Sequence, residues 1–359
     1  MPNQKASPTY GLPAAAAPLE EDRSRGSWPL ISLLIAFLVL AVITSAGVGS
    51  VSIPPKSVLG ALGLGPSVDE TTRIIVLQIR LPRILLATIV GAGLAVSGTV
   101  FQGIFRNPMA DPYIIGVSAG AALGATAAIV LHLTFAILGI SAITLSAFVA
   151  ALLVTMLVYR LAWFRGDVMV EHLLLAGVAV GAFLAAIISA LQLLGGESLQ
   201  QVIFWLMGGF SGRTWDHVLL TAPYVVAGYA VAQVLARDLN LLMLGDETAK
   251  SLGVSAGRVR SILIAAGALV AAAAVSVSGL IGFVGLVVPH LIRLMVGPDH
   301  RRLLPAAALA GATTLLLADT LARSVAAPTE IPVGIVTAAL GAPFFLYLLR
   351  KHRRRTYWG

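Results

Sequence analysis

Apolar residues in this chain come in runs of about twenty, the length a helix needs to cross roughly 30 Å of hydrocarbon. Short polar, glycine- or proline-bearing breaks separate them. The pattern predicts ten membrane helices, over residues 29–49, 83–103, 113–133, 137–158, 172–193, 217–236, 261–279, 281–296, 304–323 and 332–350. The weakest break lies between Ser276 and Gly282. Residues 199–208 are apolar but too short to cross, which predicts a re-entrant or surface helix. No internal repeat emerges, so the inverted-repeat pattern of many secondary transporters is not supported.

The sharpest interruption is polar: residues 244–254 read LGDETAKSLGV. Asp246 is placed to cap a helix start, Glu247 adds a favourable charge in the first turn, and Lys250 sits near the far end. Gly253 predicts the stop, and Ser255 a cap for the next helix, which carries Arg258 and Arg260. About two turns of helix are marginal alone in water, so something must hold this knob. A small rigid knob on the aqueous side of a lipid-embedded chain predicts a docking element.

Composition narrows the class. Of 359 residues, 58% are hydrophobic and 11% charged, against about 25% charged in soluble domains. That excludes a water-soluble domain and leaves an all-α integral membrane protein. The absence of cysteine excludes disulfides, thiolate metal sites and cysteine nucleophiles. Residues 1–27 are rich in proline, alanine and charge and predict a disordered tail. They do not resemble a signal peptide, because the first apolar run starts late and is long enough to span. The transmembrane domain is expected over 28–351, followed by a basic tail at 352–359.

With ten spans both termini share one side, and the positive-inside rule chooses it. The minority face carries six basic residues, Lys56, Arg73, Arg80, Arg83, Arg213 and Arg323, leaving 18 of the 24 lysines and arginines for the termini and alternate loops. Both termini and the knob are therefore expected in the cytoplasm. The net charge of +8 reads as anchoring to anionic membrane lipid, not as nucleic-acid binding.

Candidate chemistry is sparse. There is no nucleotide-binding P-loop, no HExxH pair and no aspartate-rich metal motif. Asp111, Asp319 and Glu330 stand near predicted span ends and Glu171 at a cytoplasmic one, whereas an ion-driven carrier is expected to bury ionisable groups near the midplane. Secondary carriers and membrane-embedded enzymes are the competing classes. Neither catalytic, cofactor-binding nor metal-ligating residues can be assigned. Pro82 in Arg80-Leu-Pro-Arg83 presets a helix start. Gln102 and Asn107, in a glycine-rich stretch, are costly to expose to lipid and fit the wall of an aqueous path. Pro289 must break a span hydrogen bond.

Several segments together resemble one family. They are RLPR at 80–83, SGTVFQGIFRNPMADPYIIGVSAGA at 97–121, LLLAGVAVG at 173–181, WLMGGFSGRTW at 205–215, LNLLMLGDETAKSLGV at 239–254, GFVGLVVPHLIR at 282–293, LPAAALAGATTLLLADTLAR at 304–323 and PTEIPVGIVTAALGAPFFLYLL at 328–349. The match, about residues 29–351 in order, is to the FecCD/BtuC-type permeases of bacterial ATP-binding-cassette importers for iron-siderophore, haem and cobalamin. The resemblance implies a type II importer permease fold with ten transmembrane helices, in the cytoplasmic (inner) membrane. It also implies a second permease subunit (a homodimer is expected), cytoplasmic ATPase subunits and an extracytoplasmic substrate-binding protein. Carried over by position, Gly245, Asp246, Glu247, Thr248, Ala249, Lys250, Ser251, Leu252 and Gly253 would couple to the ATPase. Arg80, Arg83 and Arg323 would receive the binding protein. Gln102, Asn107, Met109, Val170 and Glu171 would line the gates and path. Met109 stands where relatives commonly have leucine, and Val170-Glu171 where the cobalamin type has small hydroxyl residues. Ferric siderophore is the first expectation for cargo, with haem and cobalamin as alternatives.

Overall fold

A computed structural model describes residues 27–49, 51–137, 139–164 and 167–356. The predicted tail over residues 1–26 and the last three residues lie outside that description. Each of the ten apolar runs is a helix. They are α1 (Ser27–Gly47), α4 (Leu81–Ile104), α5 (Val117–Val130), α6 (Ala142–Ala162), α7 (Val170–Leu194), α9 (Trp215–Val234), α12 (Ala256–Ser278), α13 (Val284–Val296), α14 (His300–Ala322) and α15 (Val333–Thr356). Short helices α2 (Pro55–Ala61), α3 (Glu70–Ile74), α8 (Leu199–Met207), α10 (Ala236–Met243) and α11 (Asp246–Ser251) fill the connections. The only strands among the described residues form two hairpins, β1 (Ala136–Ile137) with β2 (Ile140–Ser141) and β3 (Trp163–Phe164) with β4 (Asp167–Val168).

Four spans differ most from the sequence pattern in their boundaries. The second span does not begin at Pro82. It is continuous over Glu70–Ile104, 35 residues, because Ile75–Arg80 is a π-helical turn that leads straight into α4. Wider i→i+5 bonding lets the chain pass proline, which has no N–H to give. The Leu77 carbonyl accepts instead from the Trp215 indole at 3.0 Å. Helices α5 and α13 are shorter than their apolar runs, at 14 and 13 residues. The left-handed Gly116 and Phe283 mark where each begins. Helix α15 runs on through Thr356, so the predicted basic tail starts as helix.

The core is organised around α4. In its most apolar window 78% of residues are buried, against 11% for α1 and 22% for α7. The first half of α4, from Ile84 to Ala95, shares a core with α1, α13 and α14, and its second half, from Val96 to Ile104, shares one with α10 and α12. Small residues make this possible: a methyl added to Gly91 would overlap the Gly311 carbonyl of α14, and one on Gly98 the Gly285 carbonyl of α13. Between membrane helices the hydrophobic effect gives little, and close backbone approach supplies the dispersion energy.

Candidate functional site

Polar side chains gather at the two ends of the bundle. At the first end α10 buries Ala236, Leu239 and Leu242 along one face, and a left-handed Gly245 (φ 117°) turns the chain into α11. Ala249 is fully buried in the core below, which answers what holds the knob. The predicted stop is present: Gly253 takes φ 84°. The Gly253 N–H donates to the Lys250 carbonyl at 3.0 Å and the Val254 N–H to that of Ala249 at 2.9 Å, a Schellman closure. Glu247, Thr248, Lys250, Ser251 and Leu252 face outward.

Two capping expectations are corrected. Asp246 is the first helical residue and makes no cap, and Ser255 occupies the N-cap position of α12 without a side-chain bond. The Asp246 carboxylate is engaged elsewhere. One oxygen accepts from Arg106 Nη2 and the other from Arg260 Nη2, each at 2.5 Å. Arg260, buried, also reaches both Asp167 oxygens at 3.3 Å. Two guanidinium donors outcompete a backbone N–H for one carboxylate. Burial alone would raise the Asp246 carboxyl, but bonds and charge from Arg260, then Arg106, outweigh it and hold it below the usual carboxylate range.

This cluster joins three segments that are far apart in the chain. Arg106 ends α4 in a left-handed conformation (φ 49°), directly before Asn107. Asn107 Oδ1 accepts from the Met109 N–H at 2.9 Å, which folds the loop into a tight turn. Asp167 lies on β4, just ahead of Val170 and Glu171 at the start of α7. Arg106, Asp167, Val170, Glu171, Asp246 and Arg260 line one cavity of about 540 Å³. On the far side of α10, Asn240 donates to Asp299 at 2.6 Å and accepts from the His300 N–H at 2.9 Å, which ties the ledge to the head of α14. Gln102 stands apart. It is 1% exposed and its amide donates to the Leu286 carbonyl at 3.0 Å, bracing α4 against α13.

The opposite end holds Arg80, Arg83 and Arg323, all buried. Arg83 grips Asp319 through Nε and Nη2, and Glu330 through Nη1, at 2.8–3.1 Å. Arg80 donates to the carbonyls of Ala46, Gly47 and Val51. Arg323 donates to the Ser45 carbonyl at 2.5 Å and sits 3.6 Å from Asp319. These arginines form one cluster, as their shared face predicts, but they are turned inward onto the chain's own acceptors. Sequence reasoning missed the partners Asp167, Asp319 and Glu330. The four-residue spacing from Asp319 to Arg323 on one helix was the one local signal. Among the described residues no three His, Asp or Glu side chains converge as a metal site requires.

Residues 37–351 match the FecCD transport family. The chain belongs to that family. It is 49% identical over 307 residues to the cobalamin import system permease protein BtuC of Halobacterium salinarum, covering 86% of this chain and 82% of that one. It is 41% identical over 329 residues to the hemin transport system permease protein HmuU of Yersinia pestis, covering 91% and 96%. Its fold matches an inward-facing metal-chelate type ABC transporter with a TM-score of 0.79 at 37% identity, covering 90% of this chain and 99% of that one. As a FecCD protein the chain is the multi-pass permease of an ABC importer, a transport component and not an enzyme. Proteins of this kind work with a separate ATPase and a substrate-binding protein.

Proposed function

We propose that this permease carries an iron chelate, ferric siderophore first, across the cytoplasmic membrane by alternating access driven from the α10–α11 ledge. The charge asymmetry supports a cytoplasmic ledge and an extracytoplasmic arginine cluster. The ATPase seats on the exposed side of α11, where Leu244 and Leu252 add apolar contact at either end of the helix. A pull on α11 is felt by Asp246, which hands it through Arg106 to the Asn107–Met109 turn and through Arg260 and Asp167 to Val170 and Glu171. That shared carboxylate is the observation that carries the reading: one anchor moves both gate segments together. At the other end the arginines attract acidic residues of the delivering protein through their field, since their contacts are already taken by the chain itself.

A second copy of the chain completes the path. Helix α7 leaves Leu175, Val178 and Phe183 about two-thirds exposed (69%, 67% and 67%), on the helix that begins with the gate residues. Cobalamin is the second reading for cargo, favoured by the 49% identity to a cobalamin permease. The test is uptake in proteoliposomes with the cognate ATPase and binding protein. Uptake is expected to stop with an ATPase unable to hydrolyse ATP, and to stop when residues 246–250 are replaced by a Gly/Ser linker, which also ends copurification with the ATPase. Uptake that persists through either change sinks the reading.

A further inference from the structure

The arginine end also contains a cavity whose chemistry the cycle above leaves unused. It holds about 350 Å³ and is lined by Phe204 and Trp205 of α8, Phe210, Arg213, Glu330 and Arg83, with the 208–213 loop as its floor. Glu330 is already spoken for, both oxygens accepting from Arg83 Nη1 at 2.9 and 3.0 Å. Two buried donors on this wall, Trp205 Nε1 and Arg213 Nε, have no acceptor among the described residues.

The remaining contact of Arg213 does not repair this. Arg213 Nη1 lies 3.4 Å from Nε2 of the His217 ring, whose Nδ1 is engaged by Thr214, 3.1 Å from Oγ1 and 3.2 Å from the backbone nitrogen. That long contact leaves Arg213 Nε without an acceptor and brings no negative charge. Among the described residues no carboxylate pairs with Arg213, whereas Arg83 and Arg323 both have one. A buried donor without an acceptor costs free energy, and more when it belongs to a charged group such as a guanidinium. What is missing here is an acceptor, negatively charged, beside an aromatic wall.

Resting on the importer reading, we infer that this cavity is a binding subsite for an anionic, ring-bearing arm of the cargo. An oxygen anion of catecholate or carboxylate type accepts from Arg213 and from Trp205 Nε1, and the attached ring lies against Phe204. The volume is at the small end of ligand pockets, so it takes one arm of a bulky chelate, not the whole. This distinguishes anionic iron chelates from cobalamin, whose side chains end mostly in neutral amides.

The test uses the full-length permease in lipid nanodiscs, without ATPase, and equilibrium binding of three probes. These are a hexadentate ferric tris-catecholate, a ferric trihydroxamate without net negative charge, and cyanocobalamin. The tris-catecholate is expected to bind best. Arg213→Gln should weaken it at least about tenfold, as loss of a charge-assisted bond does, with Arg213→Lys intermediate and Trp205→Phe a few-fold weaker. The other two probes should not respond to Arg213. Size-exclusion profiles confirm folding, and Trp205→Phe tests the same site should Arg213→Gln fail to fold. Tris-catecholate binding within about twofold of wild type in the folded variants, or no saturable binding below about 1 mM, overturns the subsite. Wild-type uptake in the full importer, measured alongside, separates that failure from failure of the importer reading itself.

Discussion

Arg106 shows how one residue can be kept against its own backbone preference. It stands where a helix end favours glycine, and a left-handed non-glycine residue costs about 1–2 kcal/mol. Its return is a half-exposed ion pair with Asp246, worth at most about 1 kcal/mol, and a bond from Nε to the Leu242 carbonyl at 3.0 Å, worth about 1 kcal/mol. Together they do no more than offset the backbone cost, so stability alone does not explain it. Position does, because among the described residues no other side-chain hydrogen bond or ion pair joins the Asn107 end of α4 to the ledge. Arg106→Gly is therefore expected to leave thermal stability in detergent nearly unchanged, the relaxed backbone offsetting the lost contacts. ATPase copurification should survive, while uptake per ATP hydrolysed falls several-fold. Unchanged coupling would reduce Asp246–Arg106 to a surface contact. The residue scale was also the least legible. Asp246 read as a helix cap because capping is local, whereas the arginines that claim it lie 140 positions before it and 14 after.

Elements were far easier to read, since hydrophobic run length sets a membrane helix almost unaided. What periodicity could not show is which glycines are seams and which are merely tolerated. Gly98→Ala drives a methyl into the Gly285 backbone, which cannot yield as a flexible side chain would. Overpacking of this kind costs about 1–3 kcal/mol or more, and the variant should give aggregated or poorly expressed protein. Gly181 on α7 has open space around its Cβ position, so Gly181→Ala should express as wild type, with the small gain in helix propensity that alanine brings, about 1 kcal/mol. Equal behaviour of the two in size-exclusion yield would refute the α4–α13 seam. The π turn before Pro82 escaped the reading for a related reason: proline marks a helix start only when the residues before it cannot supply wider bonding.

At the scale of the whole molecule, the buried α4 and the exposed α7 define an inside and an open flank. The proposed dimer places α7 against its counterpart and leaves α1 to lipid. The chain contains no cysteine, so single-cysteine variants have no background. Val178→Cys on α7 should give a cross-linked dimer with a bismaleimide in membranes, and Val39→Cys on α1 should not. The reverse pattern, or monomer from both, would remove the second copy from the path.

Length, hydropathy and charge asymmetry, all sums along the chain, determined from sequence the membrane class, the ten helices, the expected orientation and the knob at 246–253. The order of motifs carried the family. Only the tertiary structure decided which charges meet: Asp246 with Arg106 and Arg260, Arg83 with Asp319 and Glu330, and Arg213 with no carboxylate among the described residues. Pairing in a low-dielectric interior depends on distances of a few ångströms between residues far apart in sequence, and no run length or local spacing encodes those distances.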